Sequence, residues 1–276
     1  MTSSLLMRLL CVAALMGSAL AHAGRSCDAP HPPAAQTVER GLNLAARTLA
    51  ALDASGQRVV LLARAGQDLS KYGVTYSHLG FAYRQPQTGP DGQTGHVWRV
   101  LHKLNQCGTA HAALYRQGLG EFFLDDLWRY EAAWVVPTPA VQDRLLPLLL
   151  DTRRDSRALA LHHKPYNLVS YAWGRKYQQS NQWAIETLAA AMEPTIDNRE
   201  QAQAWLQFKG YQPTALRIGP VTRLSGRATA ANVAFDDHPN EKRYSDRIET
   251  VTVDSVFSWL PRAQLAAPGQ WPQVVR

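Results

Sequence analysis

The sequence is short of cysteine and of long apolar runs, and both shortages limit what the protein can be. Only three of its 276 residues are cysteine, and Cys11 lies within the apolar start of the chain. Beyond this start, which ends near residue 23, no stretch is long and apolar enough to span a bilayer. We therefore expect no transmembrane segment in the rest of the chain. A glycine-rich phosphate loop and a CxxC motif are also absent, and we predict no cofactor.

Positive charge is spread along the chain and is not gathered in one run. The formal net charge is +7, with 29 Lys and Arg residues against 22 Asp and Glu residues. No basic run carries interleaved aromatic residues, which is the pattern typical of nucleic-acid binding. We therefore expect no nucleic-acid partner and only weak, nonspecific attraction to anionic polymers of a cell envelope.

The first 23 residues have the pattern of an export signal. Arg8 precedes a largely apolar run from Leu9 to Ala21, and Ala21-His22-Ala23 has the small-x-small pattern of a cleavage site. The run is shorter than a membrane span. We predict a signal peptide at residues 1–23, cleavage near Ala23, and a periplasmic or secreted mature protein.

Two cysteines, Cys27 and Cys107, follow the predicted signal. An even number in an oxidising compartment favours one disulfide, which would tie the N-terminal arm to the body of the protein. A nucleophilic Cys107 is the alternative. Because Cys107 is expected in a turn beyond a strand, its position suits the disulfide better.

Strand-like and helix-like segments follow an order typical of an α+β domain, which we predict over residues 24–276. Arg58 to Ala65, Val74 to Arg84 and Val97 to Leu104 are rich in β-forming residues and predict an antiparallel meander. Helical spacing of apolar residues predicts helices at Thr37 to Leu52, Pro139 to Leu150, Ser180 to Met192 and Arg199 to Lys209. We expect these helices to pack on the sheet.

Five further segments complete the assignment. We expect a helical region at Ala110 to Tyr115 and Gly120 to Trp128, a short strand at Trp134 to Val136, strand-like structure from Leu216 onward, and a last helix or strand at Val253 to Leu260.

One candidate site combines two strand histidines with a serine at a helix start. His78 and His102 lie on predicted neighbouring strands, so both imidazoles can point to one face of the sheet. Ser180 begins a predicted helix, where free backbone N–H groups can hold an oxyanion, and Asn181 and Gln182 add side-chain donors. Serine is also a preferred N-cap, and each histidine can be a hydrogen-bonded strand residue, so structural roles stay open.

A second polar cluster, Asp236, Asp237 and His238, is followed by Pro239. Carboxylates and an imidazole can bind a metal, but adjacent residues rarely supply a complete ligand set. We expect an ordered turn there and no metal, with a metal-dependent enzyme as a distant alternative.

The stretches SHLGFAYR and WRVLHKL resemble the strand pair of NlpC-type papain-like hydrolases, in which Ser-His-x-Gly precedes a second strand that carries a polar residue. In the circularly permuted, YiiX-like branch the nucleophilic cysteine follows at the start of a helix, and YQQSNQW, residues 177–183, holds that place. VVLLARAGQDLSKYG is similar to the strand opening of that family. The resemblance implies a papain-like core over about residues 58–190, with residues 210–276 as a C-terminal extension.

The mature chain resembles, more closely, the bacterial domain of unknown function family 2145. The matching stretches are LLARAGQDLSKYGVTYSHLGFAYR, HKLNQCGTA, GLGEFFLDDL, YQQSNQWAIETLA, GYQPT and NVAFDDHP. The match is specific and spans most of the chain, but this family brings almost no function with it.

The papain-like resemblance implies an exported hydrolase or acyltransferase that acts on a peptidoglycan peptide or a lipid ester. Ser180 would attack the carbonyl, His78 would take its proton and His102 would orient His78. Ser180 stands where the permuted enzymes use cysteine, and a hydroxyl depends wholly on its base. Three hypotheses stay open: a serine hydrolase, an inactive envelope protein that binds a peptide, glycan or lipid in the same cleft, and a nucleophile placed elsewhere.

Overall fold

The structure, a computed structural model, describes residues 33–276, so the predicted signal peptide and Cys27 lie outside the described residues. The strands in this range are β1 Val59–Ala65, β2 His78–Thr88, β3 Thr94–Asn105, β4 Ala112–Gly118, β5 Arg129–Val135, β6 Thr214–Arg217, β7 Arg247–Thr250 and β8 Gln273–Val275. The helices are α1 Ala35–Ala54, α2 Leu119–Phe123, α3 Pro139–Leu150, α4 Arg157–Ala160, α5 Ser180–Met192, α6 Arg199–Phe208, α7 Pro220–Thr229, α8 Asn240–Arg243 and α9 Val253–Arg262.

Six strands form one antiparallel sheet in the order β4-β3-β2-β1-β5-β8, and β6 and β7 form a separate two-stranded antiparallel sheet. The predicted meander β1–β2–β3 and the α+β class are confirmed. All seven residues of β1 are buried. This central strand is covered on both faces, which explains why its sequence, VVLLARA, is a nearly continuous apolar run.

Alternation along the strands sends neighbouring side chains to opposite faces of the sheet. Leu79, Phe81 and Leu101 pack in a core with helices α3, α5, α6 and α9, on what we call the α5 face. Ala82 and Val100 pack in a second core with helices α1 and α2, on the α1 face. The sheet is thus the middle layer of three.

Helix α5 is buried along almost its whole length and not on one side alone. Its sequence, SNQWAIETLAAAM, is rich in small residues, and a helix without a polar stripe is expected in an interior. Trp183 is fully buried and donates its indole N–H to the carbonyl of Ala158 at 3.2 Å. The Trp183 ring also packs edge-on against Phe81 of β2, with ring centroids 6.0 Å apart, so the start of α5 is held in a defined position against the sheet.

Several segment predictions are corrected by the structure. Ala110 to Tyr115 is mostly strand β4 and not helix, because its backbone pairs with β3, with Lys103 opposite Leu114. The tail after Leu216, expected to be strand-like, contains helix α7. Pro220 occupies the first turn of that helix, where a missing N–H costs nothing.

The other differences concern segment ends. Of the predicted helix up to Trp128 only α2 is helical, whereas β5 begins five residues before Trp134. Val253 begins helix α9, which has a capping box at Thr252. Over residues 33–276 no helix is long and apolar enough to cross a membrane.

Candidate functional site

The structure brings the two strand histidines together. His78 Nε2 lies 2.8 Å from His102 Nδ1, and His102 Nε2 lies 2.8 Å from Gln117 Oε1. The amide oxygen of Gln117 can only accept, so His102 Nε2 carries a proton, and when His102 is neutral its Nδ1 accepts one from His78. Both imidazoles are neutral in this hydrogen-bonded chain.

Burial holds both imidazoles in the neutral form. His102 is fully buried, and the ring of Phe122 packs against both histidines, with centroids 5.1 and 6.0 Å away. Burial lowers the pKa of His102 to about 3 and the pKa of His78 well below 6.5, and the nearby Arg64 guanidinium adds to both shifts. A base for catalysis near neutral pH needs a pKa closer to 7.

Ser180 and the histidine pair belong to opposite faces of the sheet. Phe122, which contacts both imidazoles, is part of the core on the α1 face, whereas α5 packs on the other face. The buried Ser180 hydroxyl donates to the backbone carbonyl of Lys103 at 2.6 Å. The structure therefore does not bring Ser180 to His78, and the catalytic role of Ser180 stays a prediction without geometric support.

Ser77, His78 and Gly80 of the Ser-His-Leu-Gly motif each have a structural role. The Ser77 hydroxyl accepts the backbone N–H groups of Gly66 at 2.9 Å and Gln67 at 3.2 Å, which closes the connection from β1 to β2. His78 binds the next strand, as described above. Gly80 leaves room for that strand, since an added Cβ would lie 2.8 Å from Val100 Cγ1 and 3.0 Å from His102 Cβ.

Replacing Gly80 with alanine is expected to lower the free energy of unfolding by about 1–3 kcal/mol, because the added methyl overpacks the strand pair. Urea unfolding of the purified protein measures the change. Gly95→Ala is the matched control, since Gly95 also lies in a strand and no atom lies within 4 Å of its added Cβ. Equal midpoints for the two variants would refute the packing argument.

The other proposed site residues are held in structural contacts. The Gln182 amide accepts from the Ser170 hydroxyl at 2.9 Å and donates to the carbonyl of Ala172 at 3.0 Å. Cys107 lies in the turn between β3 and β4, as expected. Its predicted bridge to Cys27 stays a prediction, because Cys27 is outside the described residues.

The cluster at residues 236–238 does not converge on one point. Asp236 pairs with Lys176 at 2.5 Å, whereas Asp237 accepts the backbone N–H of Tyr171 at 2.8 Å and its other oxygen lies 2.9 Å from His238 Nδ1. Among residues 33–276 no group of three or more His, Cys, Asp or Glu side chains is placed to hold a metal. The contacts fit the predicted ordered turn.

A cavity of about 580 Å³ lies beside the start of α5. Its walls come from the connection between β1 and β2, from the segment before β5, from the β6–β7 sheet and from α7. A small apolar cluster supplies much of the lining: Leu69, Tyr72, Val74, Val169, Leu216, Ile218, Val233 and Phe235. Two amides from the start of α5, Gln179 and Asn181, complete it.

Asn181 is the member of this lining with unused hydrogen-bonding capacity. It is 3% exposed, its Nδ2 donates to the Val251 carbonyl at 3.2 Å, and its buried Oδ1 has no partner among the described residues. Gln179, by contrast, donates to Thr250 Oγ1 at 2.8 Å and to Val251 O at 2.7 Å. A buried acceptor without a donor costs about 1–3 kcal/mol, so the folded protein keeps an unfavourable group beside the cavity.

A family profile described as "Uncharacterized protein conserved in bacteria (DUF2145)" matches residues 51–260. The chain belongs to this family. The match covers the histidine pair, helix α5 and every wall of the cavity. The family resemblance seen in the sequence is confirmed, whereas no curated protein and no solved structure matches the chain, so these comparisons give the NlpC-type resemblance no support.

Sequence reasoning found one residue of the cavity in this DUF2145 protein and missed the rest. Asn181 was predicted as a substrate donor, and it does line the cavity. The apolar wall was missed because its members come from segments up to 166 positions apart, from Leu69 to Phe235. The stretch NVAF before the polar cluster carried the available signal, since it places Val233 and Phe235, two apolar residues of the lining, beside a predicted turn.

Proposed function

We propose that this protein is a binding protein that holds a small amphipathic ligand in the cavity beside Asn181. The observation that carries the proposal is the cavity of about 580 Å³ with its largely apolar lining, beside which Asn181 keeps a buried Oδ1 without a partner among the described residues. The apolar wall calls for a ligand with a hydrocarbon body, and an N–H or O–H group of the ligand that reached Asn181 Oδ1 would give this buried acceptor a partner. Among a peptide, a glycan and a lipid, this chemistry favours a lipid-like molecule or an apolar peptide.

The size and shape of the cavity fit such a ligand. Cavities of about 300–1,000 Å³ with apolar walls and a few polar groups are typical of small-molecule sites. This one has a volume of about 580 Å³ and is bordered at its outer parts by Asp68, Lys71 and Asp126, which are exposed. A charged or polar rim of this kind suits a ligand whose polar end stays near water.

The hydrolase hypothesis has less support than the binding hypothesis. Ser180, the nucleophile in that hypothesis, donates its hydroxyl to the Lys103 carbonyl. His78, the base, lies on the opposite face of the sheet. A papain-like core, export and an envelope location stay predictions that rest on sequence patterns. The binding proposal requires none of them.

The Asn181→Leu variant provides the main test. Octanamide, which has N–H donors, is expected to bind the wild-type protein about tenfold more tightly than N,N-dimethyloctanamide, the value of one good hydrogen bond. Asn181→Leu should lose this preference and bind both amides alike, measured by isothermal titration calorimetry. Its unfolding midpoint should equal or exceed that of the wild type, because an unsatisfied buried acceptor is removed and Val251 O keeps its bond from Gln179.

Two tryptophan variants locate the binding event. Thr222 and Ser225 are both exposed on α7, but only Thr222 lines the cavity. Thr222→Trp should block octanamide binding, and Ser225→Trp should leave it unchanged. Absence of binding by the wild-type protein, or equal binding by both tryptophan variants, would exclude the cavity as the ligand site.

A further inference from the structure

Lys103 is a buried lysine whose two hydrogen-bond acceptors are both uncharged. It is fully buried in β3, and its Nζ donates to the backbone carbonyl of His163 at 2.6 Å and to the amide oxygen of Gln178 at 2.7 Å. A neutral amine has two hydrogens to donate, and an ammonium has three. The two acceptors therefore satisfy the neutral amine completely, whereas a third N–H of an ammonium would lack an acceptor among the described residues.

The charge of Glu186, the carboxylate of the same polar cluster, is already balanced by an arginine. Glu186 accepts from Arg199 Nε at 2.9 Å and from Arg199 Nη2 at 3.2 Å, and Gln178 stands between Glu186 and Lys103. An arginine keeps its positive charge in proteins. The cluster thus has no net charge when Lys103 is neutral, and it holds an uncompensated buried charge when Lys103 is protonated.

The ionisable groups that face Lys103 come from the connection before α5, from α5 and from α6. They are His162 and His163, Glu186, and Arg199, respectively. Burial and the Arg199 charge lower the pKa of Lys103 to about 6, and the Glu186 charge opposes this shift only weakly. Burial also lowers the pKa of His162 to about 4 and that of His163 below 6.5. The lysine and both histidines are therefore uncharged near neutral pH.

Residues 163–178 form a loop whose first and last residues both bind Lys103 Nζ. These two ends also meet each other, because the backbone N–H of the first donates to the side-chain amide oxygen of the last at 2.9 Å. The middle of the loop supplies Leu168 and Val169 to the wall of the cavity. Lys103 therefore fastens a part of the cavity wall to β3.

We propose that Lys103 is a proton-sensitive latch that holds the 163–178 loop, and with it one wall of the cavity, in place. The neutral amine fastens both ends of the loop to β3. When the loop opens, Lys103 reaches water and takes up a proton, so a fall in pH favours the open loop. The latch does not depend on a ligand, whereas its use as a gate for the cavity rests on the proposed binding function.

The pH dependence of stability tests whether Lys103 is neutral in the folded protein. A lysine of the unfolded chain binds a proton below a pKa near 10.4, whereas folded Lys103 stays neutral down to about pH 6. Between these values the unfolded state binds one more proton than the folded state. The equilibrium constant of unfolding should therefore rise about tenfold when the pH falls from 8.5 to 7.5, measured by urea unfolding.

Two variants assign this dependence to Lys103. Lys103→Met has no titrating group at this position and should lose the tenfold rise. Lys164→Met is the matched control, because Lys164 lies in the same loop but is exposed, and it should keep the rise. Equal pH dependence of the wild type and Lys103→Met would mean that folded Lys103 is charged and would overturn the proposal.

Hydrogen exchange of the wild-type protein tests the latch without a variant. After correction for the intrinsic rate at each pH, the amides of residues 163–178 should lose about tenfold in protection between pH 8.5 and pH 7.5, and they should exchange faster than those of β1. Loop openings that leave Lys103 buried would give a protection independent of pH. Exchange of the loop only together with β1 would mean that it does not open by itself. Either result would overturn the latch.

The release of octanamide, which does not titrate, separates the latch from the gate. Its release rate should rise about tenfold from pH 8.5 to pH 7.5 in the wild type and stay constant in Lys103→Met. A constant rate in the wild type, together with pH-dependent exchange of the loop, would support the latch and overturn the gate. Absence of octanamide binding would overturn the binding function and the gate, whereas the unfolding and exchange results would still decide the latch.

Discussion

Glu186→Ala is expected to lower the free energy of unfolding by about 3–5 kcal/mol. Glu186 is fully buried in α5, and its carboxylate accepts from Arg199 Nε at 2.9 Å and from Gln178 and Gln203 at 2.5 and 2.8 Å. Its removal leaves Arg199, whose side chain is 11% exposed, as a buried charge without a carboxylate, held only by the carbonyls of Gly174 and Arg175. Urea unfolding with circular dichroism measures the loss.

The hydrogen-bond network around Glu186 reaches several elements of the fold, so the loss of Glu186 should destabilise more than helix α5. Gln178 links Glu186 to Lys103, whose Nζ donates to the amide oxygen of Gln178 at 2.7 Å and to the carbonyl of His163 at 2.6 Å. Lys103 is fully buried in β3, and burial lowers its pKa to about 6. One polar cluster therefore joins the sheet, the connection before α5 and helix α6.

The control for Glu186 lies on the next helix. Glu200 pairs with Arg175 at the surface, where both side chains are more than 60% exposed, and exposed pairs contribute about 1 kcal/mol or less. Glu200→Ala should therefore change the free energy of unfolding by no more than that. A Glu186→Ala variant as stable as Glu200→Ala would show that the buried network contributes little.

The sequence predicted best the parts of the fold that are long apolar runs. VVLLARA and SNQWAIETLAAAM gave strand β1 and helix α5 with nearly the observed ends, because burial on all sides leaves long apolar runs. Segments with mixed patterns were less predictable. Ala110 to Tyr115 is mostly strand because its backbone pairs with the edge of β3. This pairing is a tertiary contact, which local propensity does not contain.

The histidine pair shows the same limit at the level of the site. The spacing predicted that His78 and His102 could share a face, and they do. Which face they share depends on where α5 packs, and Leu79, Phe81 and Leu101 draw that helix to the opposite side. Successive side chains of a strand point to opposite faces of the sheet. A shift of one residue along the strands therefore decides whether the two histidines lie on the α5 face, as the catalytic arrangement requires, or on the α1 face, where their role is structural.

Acidification should unfold the protein through the histidine pair. Unfolded histidines bind a proton with a pKa near 6.5, whereas burial keeps the folded pKa of His102 at about 3 and that of His78 well below 6.5. The unfolded state therefore binds more protons below pH 6.5, and stability falls with pH by up to about 1.4 kcal/mol per pH unit for each imidazole that stays neutral. Above pH 6.5 this contribution is constant.

His102→Gln isolates the effect between pH 6 and pH 4.5, above the range in which carboxylates dominate. The variant removes one titrating imidazole but keeps a side chain that can bind His78 and Gln117, so its stability should vary with pH by about 1.4 kcal/mol per unit less than that of the wild type. His111→Gln, at an exposed position, should leave the slope unchanged. Equal slopes for all three proteins would mean that His102 is protonated in the folded state, and an NMR titration in which its ring signals shift near pH 6 would show the same. In that case His102 would be an acid–base group in the range where catalysis operates, and the structural explanation of the Ser-His-Leu-Gly motif would have to be abandoned.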